Sequence, residues 1–120
     1  MKIISHVLNS KKIAEIISKE IIITNAEEGL DLLGNLYYQG YDAILIYYNN
    51  ITPEFFDLKN GMAGEILQKF STYRVRLAII GDFSNLYSQS LKDFVYESNK
   101  GGHINFLESL ESGLEQLARG

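Results

Sequence analysis

Side chains that could do chemistry gather in two short segments of the sequence, each directly after an apolar run. The first segment holds Asn49, Asn50, Thr52, Asp57, Lys59 and Asn60, and the second holds Asp82 and Ser84. Carboxylates and an amine held close together could bind a ligand or a metal ion, or act as an acid–base pair. Asparagine and aspartate also hydrogen-bond their own backbone in turns and helix caps. We favour this second, structural interpretation.

Familiar catalytic motifs are missing from the sequence. It has no Gly-x-Ser-x-Gly elbow, no His-x-x-x-His pair and no phosphate-binding glycine loop. It has no cysteine, which excludes thiol catalysis and thiolate metal sites. The two histidines, His6 and His103, lie in separate predicted strands, and we interpret both as structural. We therefore expect no cofactor and no metal, and a protein that is not an enzyme.

Charge and hydropathy limit the classes of partner. The net charge is −4, and the basic residues are scattered, with Arg74 and Arg76 as the one close arginine pair. Nucleic-acid binders usually carry a basic stripe, so we expect no nucleic-acid partner. The longest apolar run, residues 43–48, is far shorter than the roughly 20 residues of a membrane span. With no signal-peptide pattern at the start, these features predict a cytoplasmic protein and no membrane partner.

The apolar patterns that must position these side chains alternate between strand and helix. Strands are predicted over residues 2–8, 11–17, 42–48, 75–80 and 103–106. The first two strands are separated by Asn9-Ser10, which suits the tight turn of a hairpin.

Capping residues mark the predicted helices between and after these strands. Helix starts are predicted at Thr24 or Asn25, at Gly61, at Ser88 or Ser90, and at Ser109, with a separate helical turn after Thr52-Pro53. A break near Lys59-Asn60 is expected because Gly61 and Gly64 would each destabilise the middle of one long helix by ~1 kcal/mol. We interpret these two glycines as a helix start or a point of close helix-on-sheet packing.

The resulting order, β-β-α-β-α-β-α-β-α, predicts a single α/β domain over residues 1–120. Its mixed sheet would carry an N-terminal hairpin followed by alternating helices and strands, joined by parallel crossovers. Parallel strands end at the same edge of a sheet, and ligands bind there near a switch in strand order. If the third and fourth strands are neighbours, Asp57, Lys59 and Asp82 are expected to converge.

Aromatic residues make up 12% of the chain and cluster around the third predicted strand. Tyr47 and Tyr48 are adjacent, so they must point to opposite faces of the sheet. Core packing is the interpretation that we favour for this cluster, and an interaction surface is the alternative. The aromatic excess also predicts a homodimer.

Three segments resemble a bacterial family catalogued as domain of unknown function 4180. They are residues 52–58 (TPEFFDL), 61–70 (GMAGEILQKF) and 74–83 (RVRLAIIGDF). The resemblance covers essentially the whole chain. It implies a bacterial cytoplasmic protein and does not imply a reaction.

The element order also resembles the sulfate-transporter and anti-sigma-factor-antagonist (STAS) domain. Gly61 falls where such domains place a serine-glycine pair at a helix start, and residues 105–110 (NFLESL) resemble the approach to their last helix. In anti-sigma-factor antagonists, phosphorylation of that serine blocks a partner-binding surface. The matching residues here, 58–60 (LKN), carry no hydroxyl, so the resemblance implies a protein that is not switched in this way. Thr52, the nearest hydroxyl upstream, is interpreted as a helix cap.

Together these observations favour a non-enzymatic regulatory or protein-interaction module with a protein partner that the sequence does not identify. The alternative is a small-ligand-binding protein or hydrolase that uses Asp57, Lys59 and Asp82 at the strand ends.

Overall fold

Five strands form one mixed sheet in the computed structural model, which describes residues 1–119. The strands are β1 (Lys2–Leu8), β2 (Lys11–Ile17), β3 (Ala43–Tyr47), β4 (Arg76–Ile80) and β5 (Ile104–Leu107). Their order across the sheet equals their order along the chain. β1 pairs antiparallel with β2, and every later pair is parallel. The predicted α/β domain with its hairpin and mixed sheet is therefore confirmed.

The hairpin between β1 and β2 turns at Asn9-Ser10, as predicted. Both residues have positive φ, 51° for Asn9 and 66° for Ser10. Two-residue turns of this kind match the twist of the strands that they join. Asparagine tolerates the left-handed region better than serine does, so the turn forms here without glycine.

The two central strands are buried on both faces of the sheet. Residues 43–46 of β3 and 77–80 of β4 are all buried and apolar. Three helices cover one face: α1 (Ala26–Tyr38), α2 (Met62–Tyr73) and α3 (Gln89–Gly101). A fourth helix, α4 (Leu110–Leu117), covers the other face. Of the helices in residues 1–119, none combines the length and the apolar character needed to cross a membrane.

Three of the four helix starts are fixed by side-chain caps. The Asn25 side chain accepts a hydrogen bond from the backbone of Glu28 at the start of α1. Ser88 does the same for Leu91 in α3. Ser109 begins α4 with a capping box in which Ser112 reaches back to the cap. These caps lie at predicted positions because capping depends on residues only two or three places apart.

The segment before α2 breaks where the sequence indicated. A 3₁₀ turn over Pro53–Phe56 is followed by a second over Leu58–Asn60. Gly61 then takes a left-handed conformation, with φ of 78°, and α2 begins at Met62. The chain changes direction at Gly61, a position that glycine occupies without strain.

Close packing at Gly64, one of the two predicted interpretations of the glycine pair, is wrong. A β-carbon added at Gly64 would meet no atom within 4 Å, because this face of α2 points to solvent. Close approach occurs instead at Gly113 of α4. A β-carbon there would lie 2.8 Å from the Cδ1 atoms of both Ile80 and Leu45. Helical patterning shows that a glycine is within a helix, but the tertiary contacts decide which face it occupies.

The same substitution at these two glycines should have opposite effects on stability. We expect Gly64→Leu to stabilise the fold by up to about 1 kcal/mol, because an exposed helical glycine is replaced by a good helix former. We expect Gly113→Leu to destabilise it by about 1–3 kcal/mol or more, because the side chain overpacks the contact between α4 and the sheet. Urea denaturation of both variants measures the difference. Equal midpoints would contradict this placement of the two glycines.

Candidate functional site

The predicted site residues follow β3 and β4, which are neighbours in the sheet. The two strands pair from Ala43 with Arg76 through Tyr47 with Ile80. The segments that begin at Tyr48 and at Gly81 therefore leave the same edge, which we call the carboxyl edge. The adjacency on which the predicted convergence depended is present.

Asn50 has a structural role at this edge. Its side chain is only 3% exposed, and its Nδ2 donates to the backbone oxygens of Ser18 at 2.9 Å and Glu20 at 2.8 Å. Its own carbonyl accepts hydrogen bonds from the backbone of Ile22 and Ile23. The residue thus joins the end of β3 to the loop between β2 and α1. The adjacent Asn49 is exposed.

Thr52, Asp57 and Asn60 are occupied by the two 3₁₀ turns. The Thr52 side chain accepts from the backbone of Glu54, and that of Asp57 accepts from the backbone of Lys59. Asn60 donates to the carbonyl of Glu54 at 2.7 Å and accepts from the backbone of Met62 at 2.9 Å. Turn and cap chemistry therefore accounts for all three polar side chains.

Asp82 and Ser84 form a local turn directly after β4. Asp82 Oδ1 accepts hydrogen bonds from the Ser84 backbone at 3.0 Å and from the Ser84 hydroxyl at 2.6 Å. These bonds favour the ionised form and lower the pKa of the Asp82 carboxyl below its usual value. Both residues are exposed.

The candidate residues divide between separate grooves at the carboxyl edge. Asp57 and Lys59 line one groove, whereas Asp82 and Ser84 line another, of about 330 Å³. Asp82 also lines a third groove, of about 520 Å³, together with Asn49. Within residues 1–119, no hydrogen bond or ion pair joins Asp57 or Lys59 to Asp82. The strand order does not reverse anywhere in the sheet, so no crevice opens of the kind that a switch in strand order creates.

The groove that Asp57 and Lys59 line lies between the 3₁₀ turns and the start of α3. It measures about 510 Å³, and we call it the Tyr87 groove; its lining residues are Phe56, Asp57, Leu58, Lys59, Tyr87, Ser88 and Ser90. Tyr87 is 75% exposed, yet its hydroxyl donates to the Phe56 carbonyl at 3.0 Å. The ring is thus fixed at one end while most of its surface faces solvent. Nothing in the sequence distinguished Tyr87 from the other tyrosines.

Packed aromatic rings support this groove from below. Phe56 lies 5.0 Å from Tyr48 and 6.3 Å from Phe106, measured between ring centroids. Phe83 completes the group, with its centroid 5.3 Å from that of Phe106. The two pairs with Phe106 are edge-to-face, and such pairs stabilise a fixed arrangement beyond the area that they bury. The aromatic excess thus serves core packing at this edge and also leaves Tyr87 exposed.

A second polar cluster, which the sequence did not reveal, lies on the sheet face that α4 covers. Glu15 is only 4% exposed, and its carboxylate accepts from His6 Nε2 at 2.8 Å and from the Tyr47 hydroxyl at 2.7 Å. Burial, followed by the hydrogen bond and charge of Glu15, raises the pKa of the Tyr47 phenol above its usual value of 10.0. The one visible signal was a carboxylate within the apolar run of β2. Tyr47 and Tyr48 lie on opposite faces, as predicted.

The remaining histidine and the carboxylates do not build a metal site in the described part of the chain. His103 Nε2 donates to the Phe70 carbonyl at 3.2 Å, which is a structural role. Across residues 1–119, no three histidine, aspartate or glutamate side chains gather in a way that could hold a metal ion.

Comparison with known protein families identifies the family of the chain. The family model described as "Domain of unknown function (DUF4180)" matches residues 8–117. The chain belongs to the DUF4180 family. The resemblance seen in residues 52–83 to this family is thereby confirmed. No curated protein and no solved structure matches the chain, so the likeness to STAS domains stays a prediction.

The role of Asn50 can be tested against its exposed neighbour. We expect Asn50→Ala to destabilise the fold by about 1–3 kcal/mol, because two hydrogen bonds that join β3 to the loop between β2 and α1 are lost. Asn49→Ala should change stability by less than about 0.5 kcal/mol, as is usual for surface substitutions. Urea denaturation measures both. Similar losses of stability for the two variants would show that the side-chain hydrogen bonds of Asn50 do not stabilise the fold.

The Glu15 cluster should make stability depend on alkaline pH. Above pH 10 the unfolded Tyr47 phenol loses its proton while the folded phenol, whose pKa is raised, keeps it. The free energy of unfolding should therefore fall as the pH rises beyond 10. Tyr47→Phe should flatten this fall and also destabilise the fold at pH 7 by about 1–3 kcal/mol, because Glu15 loses a donor.

Tyr38→Phe is the matched control, because Tyr38 is 90% exposed. It should leave both the pH profile and the stability at pH 7 unchanged. If Tyr47→Phe also left the pH profile and the stability unchanged, the hydrogen bond to Glu15 would not contribute to the stability of the fold.

Proposed function

We infer that this protein is a non-enzymatic protein-interaction module whose partner binds in the Tyr87 groove. The observation that carries this proposal is Tyr87 itself, a mostly exposed ring whose hydroxyl is fixed to the Phe56 carbonyl. Tyrosine is enriched among the residues that dominate binding energy at interfaces. A ring already held in place loses little conformational freedom when a partner covers it.

The chemistry around Tyr87 fits a protein surface. Phe56 and Leu58 are apolar lining residues of the groove, and Asp57 and Lys59 add opposite charges to the same lining. Apolar centres with polar rims are typical of protein interfaces. The partner surface that fits here would therefore present an apolar side chain at its centre and mixed charge around it.

The hydrogen bonds of the other polar residues argue against catalysis at this edge. Asp57, Asn60 and Asp82 each use side-chain oxygens in local turns, and neither His6 nor His103 lines the groove. A general base must lie within hydrogen-bond reach of a substrate proton and be free to accept it. These observations support an interaction module over a hydrolase.

The resemblance to STAS domains supports the same surface. The second 3₁₀ turn, Leu58–Asn60, comes directly before Gly61. The phosphorylated serine of anti-sigma-factor antagonists likewise comes directly before a glycine at a helix start. In such relatives this position belongs to the partner-binding surface. Because residues 58–60 carry no hydroxyl, we expect the partner to be released by a means other than phosphorylation there.

Small-ligand binding is the second candidate, and the size of the groove favours it. A volume of about 510 Å³ falls within the range of small-molecule pockets. Lys59 and the Ser90 hydroxyl could orient a polar ligand over Phe56 and Leu58. Under this alternative, the ligand would be no larger than the groove.

Crosslinking inside cells can test the interaction proposal. A photoreactive phenylalanine at position 87 should give a discrete adduct with one protein, whereas the same group at Tyr38, on α1, should not. An adduct of twice the mass of the chain would identify the partner as a second copy, as the predicted homodimer requires. Equal adduct patterns at both positions would contradict the proposal.

The captured partner then permits a quantitative test. Tyr87→Ala should weaken its binding by about 10–30-fold, the typical loss for an interface residue that dominates the affinity. Tyr38→Ala should leave the dissociation constant unchanged. Isothermal titration calorimetry measures both variants, and an unchanged affinity for Tyr87→Ala would place the interface elsewhere.

A further inference from the structure

All three arginines of the chain line one groove at the edge of the sheet opposite the Tyr87 groove. Arg74, Arg76 and Arg119 lie there with Lys11 and His103, around a volume of about 500 Å³. We call this the arginine groove. Its remaining lining residues are two glycines, and no carboxylate side chain of residues 1–119 lines it. A protein of net charge −4 thus gathers four of its eleven lysines and arginines in one place.

The fold brings these side chains together at the amino ends of the parallel strands. Lys11 begins β2, Arg76 begins β4, and His103 immediately precedes β5. Arg74 ends α2 in the left-handed conformation, with φ of 58°, and Arg119 follows α4. Residues from separate parts of the sequence therefore meet at one site, which is why the sequence displayed only the pair Arg74 and Arg76.

Arg76 has a structural role that explains its presence. Its Nε and Nη2 donate to the Gly102 carbonyl at 3.2 and 2.7 Å, and its Nη1 donates to the Arg119 carbonyl at 2.9 Å. It thereby joins the ends of α3 and α4. Burial, and then the positive charge of Arg119, lower the pKa of the Arg76 guanidinium, so the like charges in the groove repel.

Arg74, Lys11 and Arg119 have no comparable structural role. The side chains of Arg74 and Lys11 make no hydrogen bond or ion pair to any residue within 1–119. Arg119 reaches Glu115 at 3.6 Å, but both side chains are largely exposed, and such pairs contribute little to stability. Converging positive charge opposes folding, and a bound anion would offset this repulsion.

We propose that the arginine groove is a binding site for the phosphate group of a small ligand. Guanidinium groups present paired donors that match phosphate oxygens, which favours phosphate over a simple halide. The groove is large enough for a phosphorylated metabolite. Its basic side chains cluster around one opening instead of following a stripe along the surface, which disfavours a nucleic-acid backbone. This site is separate from the Tyr87 groove and does not depend on the function proposed for it.

Titration with inorganic phosphate and pyrophosphate, followed by NMR of the backbone amides, tests the assignment. Ionic strength is held constant with sodium chloride. We expect saturable shifts at Gly101, Gly102 and His103, with pyrophosphate binding more tightly than phosphate. Shifts spread evenly over the surface, or centred on the Tyr87 groove, would overturn the proposal.

Single substitutions distinguish a specific phosphate site from nonspecific electrostatic attraction of anions. Arg74→Asn is chosen because asparagine tolerates the left-handed backbone, and Arg119→Ser because its side chain is exposed. Each should weaken pyrophosphate binding at least 10-fold, whereas Lys59→Ser, which removes a distant charge, should not. Equal effects of all three variants would overturn the site.

Two control experiments test whether binding is specific for phosphate and independent of the Tyr87 groove. Acetate at matched concentration should produce no saturable shift at Gly102, and binding as tight as that of phosphate would overturn the assignment to phosphate. Tyr87→Ala should leave pyrophosphate binding unchanged, so that a failure of either proposal is distinguishable from a failure of the other.

Discussion

Burial of β3 and β4 on both faces is the constraint on which the rest of the structure depends. The side chains of residues 43–46 and 77–80 are apolar whichever way they point, so both faces of the sheet must be covered. The crossover helices α1, α2 and α3 cover one face, and α4 alone remains for the other. The exposed edges of the sheet are then the places where polar and charged groups can gather.

The short length of α4 explains the polar cluster beneath that face. With eight residues, it packs over Ile13, Leu45 and Ile80 but is too short to cover the hairpin side of the sheet as well. There, Glu15 is enclosed by the side chains of His6 and Tyr47, which supply its hydrogen bonds. A buried carboxylate is tolerated in this position because its oxygens are satisfied.

Much of the fold could be predicted because its signals are local. Turn and cap residues such as Asn9 and Ser109 act on neighbours within a few positions, so the sequence displays them directly. The function of Asn50 could not be read in the same way, because its partners lie 30 and 32 residues away in the chain. The arginine groove depends in the same way on helix ends that only the folded chain brings together. β3 and β4 are neighbours, which was the condition for the predicted convergence, yet Asp57 and Lys59 line a different groove from Asp82, because local turns orient these side chains individually.

The sequential strand order has a consequence for the chain during its synthesis. Each new strand pairs with the one made just before it, so the sheet can grow in the order of translation, as domains commonly begin to fold. The face beneath α4 differs, because Ile13, Leu45 and Ile80 stay uncovered until residues 110–117 have left the ribosome. During that interval the nascent chain presents an apolar sheet surface, the kind of surface that molecular chaperones protect from aggregation.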